Sequence, residues 1–377
     1  MNISSTVPSA INDPVNARIL AVSEDQIQGF HEHPFAQIAE ASGVDEFTVC
    51  ERIACMLRAG VIRRVRQTLM ASNLAAGALV AWQVPADRLN EAFDFFHLQD
   101  PFSGHVVIRT TDSQSAGSNY RLWTTVKVPQ GFEMQKHCMW LAERVGATTF
   151  RMMPARKLFA LGVGHMRRRT ISPGDKTEES ARVIDIQEIK LSDEEWRVLT
   201  ALKRELAAED ITHQPWPGRA AEAGVSVEKF CATASKLAQQ GVLGRFSTFL
   251  EHVKPLADGE RVTRFNGLFH WAVPAGKEIE AGRQVGRFHI LTHAYWREGG
   301  PEFKGVNIMA VAHGLDKQLL LEHKAAIDMH LAEAGIPVSY TNMFWGGRSE
   351  IKPSEIAPME YEKWCKQMGI DAAGMRA

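Results

Sequence analysis

Half of the 14 histidines lie between residues 252 and 330: His252, His270, His289, His293, His313, His323 and His330. Within FHILTHAYWRE, three side chains with chemical potential recur at every second position: His293, Tyr295 and Arg297. Successive side chains of a strand point to opposite faces, so a strand here puts that trio on one face. Such a face is expensive to bury unless its polar groups are satisfied. It reads either as a polar subunit-type interface or as a wall that holds an anionic ligand. In the second reading Arg297 pairs with a carboxylate, ideally in bidentate fashion. His293 can carry a proton near neutral pH. A zinc site held by the protein alone fits poorly. On a strand His289 and His293 stand about 13 Å apart, whereas zinc holds its histidine nitrogens at about 2 Å.

An earlier segment repeats the pattern: His105, Val107 and Arg109 share one face of a second strand, with Tyr120 beyond it. The likeness extends along the chain. Residues 33–65 match 214–246 at a constant offset of 181, pairing Pro34 with Pro215, Gly43 with Gly224 and Arg64 with Arg245. Downstream, Trp82 meets Trp271 where both strands end in W-x-V-P. A tandem duplication explains two halves of one plan, expected to pack as a pseudo-dimer. The halves differ where they could do chemistry. Ala71, Ala81 and Lys127 stand where the second half has His252, His270 and His313. The second half therefore carries the richer titratable set, which predicts one competent site there and a first half that is mostly scaffold. His105, Arg109 and Tyr120 keep a second site open.

The elements that must position these residues follow from periodicity. Ile38, Ala39 and Ala41 lead into Gly43, and Phe47, Cys50, Ile53, Ala54 and Leu57 follow at helical spacing. Helix, glycine turn and helix make a helix-turn-helix. Arg63, Arg64 and Arg66 after it suggest a wing and could hold phosphates or carboxylates. Beyond, strand and helix patterns alternate in the β-α-β-β-α-β order of a ferredoxin-like domain. The predicted organisation is helix-turn-helix 14–66, ferredoxin-like domain 67–169, linker 170–188, helix-turn-helix 189–247, ferredoxin-like domain 248–350 and tail 351–377. The fold class is α+β.

Composition narrows the field. The chain has 377 residues, 45% hydrophobic and 23% charged, with a formal net charge of −1. These values fit a globular protein and argue against intrinsic disorder and a strongly nucleic-acid-binding surface. No apolar run reaches the roughly 20 residues that span a bilayer. The N-terminus lacks the basic and apolar regions of a secretory signal. Five cysteines without a CxxC argue against a disulfide framework and for a reducing cytoplasm. Cys50 and Cys55 read as core, as do Trp82 and Trp271. The candidate recognition helices, 45–59 and 227–240, mix Asp45, Glu46, Glu51 and Glu228 with their basic residues, so neither suits DNA. The run Arg167–Arg169 reads as a solvated face.

A helix-turn-helix followed by a ferredoxin-like domain resembles the Lrp/AsnC regulators. Two finer features resemble the siroheme decarboxylases in their fused, two-subunit form. One is G-V-I-R-R-V and G-V-L-G-R-F running into a strand, then a strand ending W-x-V-P. The other is the His-x-x-x-Arg strand followed by Asn119-Tyr120-x-Leu122-Trp123 or Val306-Asn307-Ile308-Met309. The resemblance covers residues 14–350. It implies removal of carbon dioxide from both acetate side chains of sirohaem. The product is didecarboxysirohaem, on the way to haem b or d-type haem, with no cofactor beyond the iron tetrapyrrole itself. On this reading His252 and His293 are catalytic, near the reacting acetates, and His293 is also a candidate axial ligand to the iron. Arg245, Lys254 and Arg297 hold propionates, and His270, Tyr295, His313, Arg64, Arg66, His105, Arg109 and Tyr120 bind substrate. Val107, and Val306 in place of a tyrosine before Asn307, depart from the family pattern. The partners expected are sirohaem or a related iron tetrapyrrole, without DNA or membrane, and a homodimer of the two-half chain is left open. Two alternatives stand beside it: a ligand-sensing transcription regulator and a non-catalytic haem-binding protein.

Overall fold

The duplication is visible in the element boundaries. A computed structural model describes residues 7–70, 74–161, 171–183, 189–251 and 263–377. The first half runs α1 (Pro14–Ser23), α2 (Pro34–Ser42), α3 (Glu46–Arg58), β1 (Ile62–Leu69), β2 (Ala75–Gln83), α4 (Leu89–Leu98), β3 (Ser103–Thr110), β4 (Leu122–Pro129), α5 (Met134–Val145) and β5 (Thr149–Leu161). The second repeats it as α6 (Asp193–Leu202), α7 (Pro217–Ala223), α8 (Val227–Gln239), β6 (Leu243–Leu250), β7 (Phe265–Ala272), α9 (Glu278–Val285), β8 (Leu291–Arg297), β9 (Ile308–Gly314), α10 (Lys317–Glu333) and β10 (Tyr340–Ile351). A last helix, α11 (Pro358–Met368), has no counterpart. The offset of 181 carries α3 onto α8 and β1 onto β6 residue for residue. Local chemistry explains the match. Asp45 and Ser226 cap α3 and α8 by accepting the Thr48 and Lys229 backbone N–H groups. Gly43 and Gly224 end the preceding helices at φ of 63° and 69°, where a side chain would be strained.

Contacts sort the chain differently from the predicted domains. One unit joins Met1–Ala71, Val163–Thr170 and Ile189–Val262; the other joins Ser72–Gly162, Ile171–Glu188 and Thr263–Ala377. Like therefore packs with like across the repeat. In the first unit β1 pairs antiparallel with β6, Arg64 opposite Phe249 and Arg66 opposite Ser247. The predicted wing is corrected here: among the described residues each half supplies one strand, and the ribbon forms only between the halves. Val65, Gln67, Phe246 and Thr248 are buried, and Phe246 meets Phe35 and Trp216 edge-on.

In the second unit eight strands close into a barrel, in the order β10-β3-β4-β2-β5-β8-β9-β7. The two four-stranded sets join where β5 pairs with β8 and β10 with β3. Alternation divides the side chains. Val80, Trp82, Val106, Leu122 and Val126 pack outward under α4, α5 and α11. Phe269, Trp271, Ala294, Ile308 and Ala310 pack outward with α9 and α10 residues such as Val285, Ile327 and Leu331. Ala81, Val107, Trp123, Met153, Leu268, Met309 and Phe344 fill the inside. Both repeat-equivalent tryptophans, 82 and 271, are fully buried as expected. Cys50 and Cys55 are only half-buried.

Two segments read as accessory are packed parts of this unit. The described stretch 171–183 of the predicted linker runs along α9, with Thr177 and Ala181 donating to the Arg287 and Arg283 carbonyls. The predicted tail buries Tyr361, Trp364 and Cys365. Tyr361 stacks on Phe132 at 4.2 Å and is 3.0 Å from Nδ1 of the buried His137. Apolar residues at helical spacing dock α11 onto the first half.

Candidate functional site

The strand reading of 291–297 holds, and the inward face of the barrel collects the chemistry. On β8, His293 and Tyr295 stack in parallel at 5.9 Å. The Arg297 guanidinium lies over the Tyr295 ring at 4.4 Å and donates to the Met153 carbonyl at 2.5 Å. Burial lowers the Arg297 pKa and raises that of Tyr295. Lys127 on β4 feels the Arg297 charge; burial, then that charge, pushes its ammonium down to about 8.

On β3, His105 Nε2 is 2.8 Å from the Ser349 hydroxyl. Arg109 is 3% exposed, and burial pushes it down to about 9, which leaves it charged at neutral pH. Its Nη1 donates to Asn266 Oδ1 at 3.0 Å, and Asn266 Nδ2 is 3.0 Å from His313 Nε2. Arg109 and His313, predicted separately from opposite halves, are thus joined through a residue that the sequence did not single out.

His270 sits deeper. It is fully buried, with neither ring nitrogen hydrogen-bonded. Phe344, Trp123 and Phe303 surround it at centroid distances of 5.2, 6.1 and 6.1 Å. Burial, then the charges of Arg109 and Lys324, pushes it down to about 3, so it is neutral at pH 7. Tyr120 packs on Phe303 at 5.3 Å and is buried.

The interior therefore holds three cations, Arg109, Lys127 and Arg297, without an ion pair among the described residues. Uncompensated buried charge is costly. What would relieve it is an anion bearing several carboxylates. The two charged stations also mix the halves. Arg109 of the first half reaches His313 of the second through Asn266, and the Arg297 charge of the second half acts on Lys127 of the first. Residues of both halves therefore contribute to the barrel interior, beside the expectation of one competent site in the second half.

The remaining candidates lie in the other unit. Arg64 Nε pairs with Glu205 at 3.1 Å. Arg66, beside Arg64, covers the Phe249 ring at 5.5 Å, and burial first, then Arg64, pushes it down to about 10. These two share a face of the ribbon, since both oppose alternate residues of β6. Arg245 exchanges backbone hydrogen bonds of 2.7 and 2.8 Å with the Thr68 hydroxyl. His252 and Lys254, like Ala71 and the run Arg167–Arg169, lie outside the described residues. Exposed lysines of α8 are committed: Lys229 pairs with Glu194 at 3.2 Å and Lys236 with Glu195 at 2.8 Å. Among the described residues, no cluster of His, Cys, Asp or Glu could hold a metal ion. None of their helices is long and apolar enough to cross a membrane.

Sequence reasoning missed Asn266 and passed over Lys127 as a mere counterpart of His313. Register was the missing signal. Asn266 opposes His313 across β7 and β9, and Gly77 opposes Lys127 across the equivalent β2 and β4.

Residues 74–160 match the AsnC-like ligand-binding domain. No curated protein matches the chain. Its fold is shared with solved structures of the siroheme decarboxylase NirDL. One has a TM-score of 0.64 at 21% identity, covering 93% of this chain and 97% of that one. The other, a complex with an iron-uroporphyrin III analogue, has a TM-score of 0.65 at 20% identity, covering 94% and 98%.

Proposed function

We propose that the chain removes the carboxyl groups of both acetate side chains of sirohaem, giving didecarboxysirohaem for the synthesis of haem b or d-type haem. Within it, each half serves as a helix-turn-helix followed by a ferredoxin-like ligand domain. The observation that carries the reading is the barrel interior, with two buried arginines and the half-buried Lys127, no acidic partner for them among the described residues, and a neutral histidine in an aromatic cage. A flat iron tetrapyrrole with many carboxylates supplies both the missing charge and an aromatic surface. NirDL, whose fold this chain shares, is a siroheme decarboxylase and takes an iron-uroporphyrin III analogue.

In each step the bond from the acetate methylene to its carboxylate breaks and carbon dioxide leaves. The electron pair stays on the methylene carbon, delocalised into the ring, until one proton converts it to a methyl group. Arginine and lysine suit the carboxylates that remain, because pairing the departing one would stabilise the ground state. Arg109, Arg297 and Lys127 take that holding role in the barrel. Histidine suits proton delivery; His293 is the residue proposed for it and is also the candidate ligand to the iron, with His252 kept as a second proton donor. No cofactor beyond the iron tetrapyrrole is required.

The test is anaerobic incubation of the purified protein with sirohaem and mass spectrometry of the pigment. Loss of two carbon dioxide units is expected. Pigment that stays bound and unchanged would favour a haem-binding protein instead. Failure to bind, with salt-sensitive duplex binding, would favour a regulator.

A further inference from the structure

We propose that Asn266 is a positioning residue that holds the His313 imidazole in its neutral Nδ1–H form. The assignment follows from what each group can donate. A guanidinium has donors only, so the Asn266 atom 3.0 Å from Arg109 Nη1 is the carboxamide oxygen. That fixes the amide orientation and turns its NH2 toward His313 Nε2, also at 3.0 Å. The facing ring nitrogen must accept, so it carries no proton, and the proton of the neutral ring resides on Nδ1. Arg109 thus sets the tautomer of a histidine that it does not touch.

The backbone makes room for this relay. Gly346 opposes Arg109 across β10 and β3. A Cβ there would meet Asn266 Cβ at 3.2 Å and Cγ at 3.3 Å, so any side chain would press on the carboxamide. The repeat-equivalent place has no relay, because Gly77 opposes Lys127 in the register where Asn266 opposes His313. One station therefore offers a guanidinium beside a neutral imidazole, and the other offers two cations. Resting on the tetrapyrrole reading, the first grips a carboxylate with one positive charge and the second with two.

The tautomer is read in the ligand-free protein by long-range 1H–15N correlation of 15N-histidine-labelled samples, with His313→Gln identifying the resonances. At neutral pH the native protein is expected to show a pyrrole-type Nδ1 and a pyridine-type Nε2. Asn266→Asp presents only acceptors, so the two shifts exchange. Gly346→Ala displaces the carboxamide and gives a tautomer mixture. A native His313 protonated on Nε2, or on both nitrogens, overturns the proposal, as does an unchanged spectrum in Asn266→Asp. The native spectrum decides even if a variant does not fold. The measurement uses no pigment, so its outcome is separate from whether sirohaem is turned over.

Discussion

Arg109 and His270 make opposite demands on the solvent they have lost, and both demands can be measured. Among the described residues the Arg109 guanidinium donates only to a neutral amide, that of Asn266. Its replacement by methionine removes an uncompensated charge, so the ligand-free protein should keep or raise its Tm in calorimetry. The same variant loses a charge-assisted contact of about 1.5–3 kcal/mol, weakening tetrapyrrole binding roughly 10- to 100-fold in a spectral titration. A lowered Tm with unchanged binding would assign Arg109 a structural role instead. His270 has a folded pKa near 3, far below its value in the unfolded chain. Between about pH 6.5 and 3 the unfolded chain binds a proton that the native state refuses. Stability is therefore complete above that window and falls by about 1.4 kcal/mol per unit as pH drops through it. His270→Leu should flatten this acid limb in denaturant titrations; an unchanged limb would show that another group governs it.

The helix α11 has no partner in the repeat, yet it closes one side of the first half. Tyr361, Trp364 and Cys365 lie over Phe102, Phe132 and His137. Trp364→Ala should cost about 3–5 kcal/mol, read as a lower urea midpoint with dye binding to the uncovered face. A neutral result would make the helix a loose appendage. Its docking was hard to foresee because a short amphipathic helix states that it needs a surface, not which one. The strand carrying His293, Tyr295 and Arg297 was legible, since alternation within seven residues fixes a face. The Arg109–Asn266–His313 chain was not. Its members lie on β3, β7 and β9, and no spacing within one strand reports the register between strands. The wing failed for the same reason: basic residues after a helix do not reveal that β1 pairs with β6, which begins 181 positions later.

The barrel closes only because each half lends its last strand to the other, β5 to β8 and β10 to β3. A chain cut between residues 183 and 189, with both pieces co-expressed, should reassemble as a one-to-one complex with a single unfolding transition. The first piece alone presents the unpaired edges of β3 and β5 and a β1 without its partner strand, and should self-associate, as light scattering would show; a stable monomer would contradict the closure. Fusion of the halves has a genetic consequence as well. In a symmetric homodimer one codon writes both stations, so a change that tunes one necessarily alters the other. Here Asn266 and Gly77, or His313 and Lys127, are separate letters of one gene. Selection could specialise one carboxylate grip while leaving its twin untouched, a freedom that two identical chains do not have.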